Sequence, residues 1–362
     1  MKIIIAYASA GGGHTKAAEA IYNYFKSQGN VEIKLVDILE NSNPFFKDAY
    51  IHGYSFLVNY LPLVWSLSFY LTYSAKFRKF SKWLASVLDI ANTRGFRRFL
   101  IEENPDYIIC THFSPPHVAS FLKKSKKITS KIIAVITDFG VHPFWISEST
   151  DIYAVASDYT REKLLLEGIE EQRIKVIGIP IDTKFSLIYD KLNLCSKFGM
   201  QPDKFTVLIT TGSFGMGPIE EIVDLLYKDV QIIVVCAHNK SLYQRLKQRN
   251  YASLFVFGFV NNIEELMAIS DTIIAKPGGL TISESLSMEL PLIFVTAIAG
   301  QETENIKFLS SYNVGTCLEN AEDIKNTILE FKNNPSKIQA TKESIRKIKK
   351  PNAVKDLYNV IR

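Results

Sequence analysis

Hydrophobic positions along the chain fall into two series of short apolar runs separated by segments of helical period. The first series is Lys2–Ala8, Val31–Val36, Tyr107–Cys110, Ile132–Ile136, Ile152–Ala156 and Ile174–Val176. The second is Thr206–Thr210, Gln231–Cys236, Leu254–Phe257, Thr272–Ala275, Leu292–Val295 and Thr316–Leu318. Each run reads as a strand. Strands separated by helices of this length predict parallel sheets with right-handed crossovers. The segment His14–Gln28 carries Ala17, Ala18, Ile21, Tyr24 and Phe25 at helical spacing, which is one apolar face. The pattern breaks around Gly178–Asp182, and a polar stretch runs on to Pro202. The fold expected is α/β, two doubly wound Rossmann-like domains facing across a cleft. The first domain is expected at 1–180, a linker at 181–202 and the second domain at 203–345. The C-terminal helical segment 346–362 could join either domain and is expected to pack on the first. In such folds ligands bind at the carboxyl ends of the strands.

Residues 44–100 form a long insertion, first aromatic and then rich in Lys and Arg. Its part Ala49–Ala75 holds no Asp, Glu, Lys or Arg and has the length of a membrane span. Asn59, Pro62, His52 and several serines make it only moderately apolar. The expectation is therefore helices of a core or of a membrane surface rather than a span. The apolar run behind Met1 is too short for a signal-peptide core and reads as the first strand.

Composition narrows the chemistry. A chain of 362 residues with 47% hydrophobic and 22% charged residues is neither disordered nor fibrous. The cysteines Cys110, Cys195, Cys236 and Cys317 are far apart, which excludes a disulfide framework and a Cys-rich zinc site and suits a reducing compartment. No His-Glu-x-x-His, Gly-x-Ser-x-Gly or Asp-x-Asp occurs. No fixed metal and no further cofactor is expected. The net charge of +5 is too mild to point to nucleic acid.

Several strand-end loops carry candidate chemistry. Ser9-Ala10-Gly11-Gly12-Gly13-His14 joins the first strand to the first helix. Its glycines let backbone N–H groups approach an anion. It is neither a dinucleotide fingerprint, since Lys16 stands where the third glycine should, nor a Walker loop, although Asp37 ends the second strand as a ribose-binding acid would. His14 at a helix start would be held neutral by the helix dipole, as a general base requires; a solvent-facing turn histidine is the alternative. Thr137-Asp138-Phe139-Gly140-Val141-His142-Pro143-Phe144-Trp145 and Thr111-His112 through His117 are further strand-end loops. Their bland reading is capping and packing.

In the second half, Gly212-Ser213-Phe214-Gly215-Met216-Gly217, then Lys276-Pro277-Gly278-Gly279-Leu280-Thr281 to Glu284, then Gly300-Gln301-Glu302 stand at successive strand ends. A helix beginning near Thr281, with Glu284 in its first turn, gives a diphosphate cradle with an acceptor for ribose hydroxyls. Gln301 and Glu302 offer the mixed donors and acceptors that a sugar needs. Together these loops point to a phosphorylated or nucleotide-sugar ligand.

Taken with Cys236-Ala237-His238-Asn239 and Gly258-Phe259-Val260, these motifs recur in one order over nearly the whole chain. The chain resembles the glycolipid synthases: the bacterial processive diacylglycerol glucosyltransferases and the plant monogalactosyldiacylglycerol synthases. More distantly it is similar to the lipid-linked peptidoglycan N-acetylglucosaminyltransferase. It departs from the pattern at Ala237 and His238, where Gly and a basic residue are more usual.

The resemblance implies a GT-B fold and transfer of glucose or galactose from a UDP-hexose to diacylglycerol, or to a glycosyldiacylglycerol, with inversion at the anomeric carbon. It implies His14 as base, with Asp138 as its alternative or its orienter, and Gly13 and Gly212–Ser213 beside the donor. Phe259 and Val260 would meet the uracil, Glu284 the ribose, Lys276 and the Gly278-Gly279-Leu280-Thr281 turn the diphosphate, and Gln301 and Glu302 the sugar. A UDP-sugar epimerase of the same double fold, the lipid-linked N-acetylglucosaminyltransferase and a nucleotide-sugar sensor are the other readings.

A lipid acceptor requires a membrane surface. Lys76, Arg78, Lys79, Lys82, Arg94, Arg97 and Arg98 face a single acid, Asp89, between 76 and 98. Phe77, Phe80, Trp83, Leu84, Val87 and Leu88 recur there at helical spacing. This is the pattern of an interfacial helix drawn to anionic lipid, with Lys76, Arg78, Lys79, Lys82 and Trp83 foremost and Lys123, Lys124, Lys126 and Lys127 possible additions. A core helix with solvated lysines is the plainer reading. The location expected is peripheral, at the cytoplasmic face of the cell membrane.

Overall fold

The structure is a computed structural model that describes residues 1–29, 31–73, 75–210, 218–295 and 300–362. Within the helices, the side chains of 54, 55, 58, 59, 62, 65, 69, 73, 75 and 76 also lie outside the described part. The chain forms two compact units. One comprises Met1–Thr183, Ile298–Glu304 and Asn352–Arg362; the other comprises Lys184–Ala297 and Asn305–Pro351.

The first unit is built on strands β1 (Lys2–Tyr7), β2 (Glu32–Asp37), β3 (Tyr107–Cys110), β4 (Lys131–Val135), β5 (Ile152–Val155) and β6 (Ile174–Val176). They form one parallel sheet in the order β2-β1-β3-β4-β5-β6. The pleat of β1 explains the three layers. Ile3 and Ile5 point to one face, where they meet Ala18, Ile21 and Phe25 of helix α1 (Gly12–Ser27). Ile4 and Ala6 point to the other, into a core with Phe96, Leu100, Val118 and Leu122. The C-terminal helix Ala353–Ile361 returns to the α1 layer, where Tyr358 meets Phe25 edge-on with ring centroids 5.0 Å apart.

The insertion between β2 and β3 is four helices: α2 (Pro44–Tyr60), α3 (Pro62–Tyr73), α4 (Ala75–Asn92) and α5 (Arg94–Glu103). The uncharged stretch is broken at Leu61, whose backbone is not helical, directly before Pro62. Among the described residues no helix is long and apolar enough to cross a membrane. Leu63, Val64, Leu67, Tyr70 and Leu71 of α3 and Phe77, Phe80, Trp83, Val87 and Leu88 of α4 are exposed. Helix α6 (Ser114–Lys124) follows β3 and packs against α4.

The second unit holds β7 (Thr206–Thr210), β8 (Gln231–Val235), β9 (Leu254–Phe257), β10 (Thr272–Ala275), β11 (Leu292–Phe294) and β12 (Thr316–Cys317). Their order, β12-β11-β10-β7-β8-β9, is again all parallel. In each sheet the chain winds outward on one side and then crosses to the other. The reversal falls between β1 and β3 in the first and between β7 and β10 in the second. Such switch points leave a crevice at the strands' carboxyl ends.

Candidate active site

At the first switch point stands His14. The chain leaves β1 through Gly11, whose φ of 129° is a conformation open to glycine and not to ordinary residues, and enters α1 at Gly12. Gly13 and His14 lie in that first turn. The His14 ring reaches the end of β3: its Nδ1 lies 2.7 Å from the main-chain oxygen of Thr111. Thr137 Oγ1, at the end of β4, lies 2.9 Å from the same nitrogen. A carbonyl oxygen only accepts, so Nδ1 carries the hydrogen and the lone pair of the neutral ring is on Nε2. Thr111 Oγ1 in turn donates to the main-chain oxygen of His14 at 2.9 Å. Burial lowers the pKa of His14 below the ordinary imidazole value, against the opposing pull of Asp138 and of the Thr111 carbonyl. The neutral form expected from the helix start is therefore favoured, and burial is its main cause. Asp138 follows Thr137 directly and acts on His14 through its charge.

The remaining histidines of this region have structural partners. His142 caps the short 3-10 turn Pro143–Trp145, its Nδ1 accepting from Phe144 N at 3.2 Å. Its Nε2 lies 2.9 Å from Thr72 Oγ1 of α3, and burial lowers its pKa to about 4. His112 accepts from Ser114 N at 3.1 Å, and its ring meets His14 edge-on at 4.8 Å; burial holds its pKa well below the ordinary value. Trp145 is fully buried, 6.3 Å from the His14 ring. Asp37 Oδ1 accepts from Ser9 N at 3.3 Å and from Leu39 N at 2.9 Å, and so closes the turn after β2.

At the second switch point is a cavity of about 190 Å³. Thr210 of β7, Ala237 behind β8, Phe259 and Val260 behind β9, and Thr281 and Glu284 behind β10 line it, over the apolar side chains of Ile273 and Met267. Ala237 has a φ of 48°, a left-handed conformation that glycine adopts freely and alanine only with strain. The ring of His238 stacks parallel on that of Phe259 at 5.0 Å, and Phe259 remains 59% exposed. The helix behind β10 spans Gly279–Ser287, two residues earlier than the sequence suggested. Glu284 therefore sits in its second turn, not its first. No side chain caps this N-terminus at Gly278, so its backbone N–H groups are open to an anion. Gly278, Gly279, Leu280 and Thr281 form this end, with Lys276 and Pro277 leading into it. The main-chain oxygen of Pro277 accepts from Asn305 Nδ2 at 2.9 Å. Gln301 and Glu302 open the helix Gln301–Ser310. Gly212 and Ser213 lie outside the described residues.

Of the positions read as membrane-facing, the basic Lys79 and the aromatic Trp83 are exposed. Arg78 pairs with Glu167 at 2.6 Å, and Lys82 is half-buried, its pKa lowered by burial. The side chain of Lys76 is outside the described residues. Lys123 and Lys124 are tied to Asp151 and Glu148, so these two are ion-paired rather than open additions to a basic surface. Two partners were not legible in the sequence. Thr137 is one. Asp89 is the other: it is no solvated acid but lies buried against His117.

Two six-stranded parallel sheets, each doubly wound about a switch point, give the two-domain architecture of the GT-B fold. Comparison with known proteins agrees. The sequence model of the monogalactosyldiacylglycerol (MGDG) synthase family matches residues 14–181, and that of the glycosyltransferase family 28 C-terminal domain matches 206–357. A processive diacylglycerol beta-glucosyltransferase of Bacillus pumilus (strain SAFR-032) is 30% identical over 356 residues, covering 96% of this chain and 91% of the relative. One of Bacillus cereus (strain B4264) is 28% identical over 99% of this chain and 93% of its own length. Among solved structures, the UDP-GlcNAc 2-epimerase of Neisseria meningitidis bound to UDP-GlcNAc aligns with a TM-score of 0.65 at 13% identity, over 100% of this chain and 99% of that one. MurG of Acinetobacter baumannii aligns at 0.57 with 14% identity, over 99% of each chain. At such identities these two share the fold. The chain belongs to the glycolipid synthase family of glycosyltransferases, with the processive diacylglycerol glucosyltransferases and the monogalactosyldiacylglycerol synthases.

Proposed function

We propose that this protein moves a hexose from a UDP-hexose to the hydroxyl of diacylglycerol, or of a glycosyldiacylglycerol already made, at the cytoplasmic face of the membrane and with inversion at the anomeric carbon. The carrying observation is the tautomer of His14: with Nδ1 donating to Thr111, Nε2 holds the lone pair that takes a proton. The acceptor oxygen attacks the anomeric carbon and its proton passes to Nε2. The bond from that carbon to the diphosphate oxygen breaks, and UDP leaves. Asp138 steadies the imidazolium so formed. The uncapped helix end at Gly278–Thr281 takes up the charge of the leaving diphosphate, without a fixed metal ion. In the donor site Phe259 and Val260 meet the uracil, Glu284 the ribose, and Gln301 and Glu302 the hexose; Lys276 and the Gly212–Ser213 loop add to the phosphate side.

The acceptor lies in a bilayer, and the exposed apolar faces of α3 and α4 suit its surface. Lys79 beside Phe80 and Trp83 gives the mixed cationic and aromatic rim of an interfacial helix. Relatives named as glucosyltransferases make UDP-glucose the first donor to test. The experiment offers UDP-glucose and UDP-galactose with diacylglycerol vesicles and analyses the lipid. A glycosyldiacylglycerol is the expected product. Conversion of a UDP-sugar to its epimer with no lipid product would overturn this reading in favour of an epimerase.

A further inference from the structure

His117 is buried and both its ring nitrogens are engaged. Its Nδ1 lies 2.7 Å from Asp89 Oδ2 of α4, and its Nε2 lies 2.9 Å from the main-chain oxygen of Phe144 in the Pro143–Trp145 turn. A further polar tie of that turn is His142, which caps it and reaches Thr72 of α3 at 2.9 Å. The same turn carries Trp145, the buried wall beside the His14 ring. The turn is thus held from α3 through Thr72 and His142, and from α4 through Asp89 by way of His117 on α6; the outer faces of α3 and α4 leave Leu63 84%, Phe80 60% and Trp83 59% exposed. An Asp–His pair taken out of water is hard to retain for stability alone, since apolar packing would serve as well. Here it joins a surface helix to the floor of the site.

We propose that His117 is a positioning residue, a strut through which the lipid-facing helices α3 and α4 set the Pro143–Trp145 turn beside His14, so that seating on a lipid surface is felt at the base. This rests on the reading of α3 and α4 as the membrane face. It needs both links of His117, to Asp89 and to Phe144.

The test uses the full chain labelled with 5-fluorotryptophan, the Trp145 resonance being assigned with Trp145→Phe. Lipid nanodiscs of anionic phosphatidylglycerol should shift the Trp145 signal in the wild type. They should leave it unmoved in His117→Asn, which keeps a donor toward Asp89, in His117→Gln, which keeps one toward Phe144, and in Asp89→Asn. In parallel, the ratio of kcat on vesicle-borne to detergent-dispersed diacylglycerol should fall about threefold or more in the variants at unchanged affinity for UDP. A Trp145 signal that responds in all three variants as in the wild type would overturn the strut. So would an equal loss of kcat on both forms of acceptor, which marks a merely structural role. Absence of transfer by the wild type on either acceptor would instead overturn the proposed function, and the fluorine signal would still decide the strut.

Discussion

Thr111 and His14 hold each other twice: the imidazole Nδ1 donates to the main-chain oxygen of Thr111 at 2.7 Å, and the Thr111 hydroxyl donates to the main-chain oxygen of His14 at 2.9 Å. The pair spans the switch point between β1 and β3. It fixes both the tautomer of the ring and the position of the helix turn that carries it. Thr111→Val keeps the volume and the carbonyl but removes the hydroxyl bond. The expected stability loss is about 1 kcal/mol by urea unfolding, with a severalfold fall in turnover as the turn loosens. Unchanged stability and turnover would show the second bond to be idle.

The lowered pKa of His14 sets the pH dependence. A base acts only when neutral, so turnover should be flat from about pH 6.5 upward and fall only as pH drops through the lowered value of His14. The stability sign follows from the same shift. Below the ordinary imidazole value the unfolded chain takes up the proton before the folded one does, so the contribution of His14 to stability falls as pH falls. A kcat profile from acid to neutral pH checks the first point. An acid limb centred well above 6.5 would remove His14 from the role.

Glu284 lines the cavity of the second unit beside Thr281 and Phe259. Calorimetry of UDP binding to Glu284→Ala should show a loss of about 1–3 kcal/mol, the cost of leaving ribose hydroxyls without a charged partner. Glu284→Gln, which keeps an acceptor oxygen, should lose less. Equal affinity in all three proteins would place the ribose elsewhere.

Much of the fold was legible because a strand buried on both faces must be apolar along its whole length. Ile3, Ile4 and Ile5 announce β1, and Ile232, Ile233 and Val234 announce β8, with the observed ends within a residue or so of those expected. The glycine loop before His14 and the open helix end after Lys276 were likewise local signals. What sequence could not show was pairing over distance. Thr137 lies 123 residues from the His14 it touches, and Asp89 lies 28 from His117. The turn that Asp37 closes behind β2 was likewise not legible, since its partner Ser9 lies 28 residues away. The placement of Glu284 in the second turn rather than the first came from a helix that begins two residues early at Gly279, a boundary that the glycines obscure.

Vesicle co-sedimentation checks the membrane face. Lys79 projects from α4, whereas Arg78 is tied to Glu167. Each exposed basic residue adds about 1 kcal/mol at an anionic surface, so binding should favour anionic over neutral vesicles and weaken with salt. Lys79→Glu with Trp83→Ala should weaken it further. Equal binding to both lipids with no release by salt would contradict electrostatic docking.

The role proposed for His14 is to take the proton of a lipid hydroxyl as a hexose is transferred to it. The most direct measurement is the rate of glycosyldiacylglycerol formation from UDP-glucose or UDP-galactose by wild type and His14→Ala, with UDP affinity measured on the same samples. A glycolipid product is expected, its rate of formation falling by on the order of a hundredfold in His14→Ala while UDP binds as before. Glycolipid made at the wild-type rate by His14→Ala, and abolished by Asp138→Asn instead, would contradict it and move the base to Asp138.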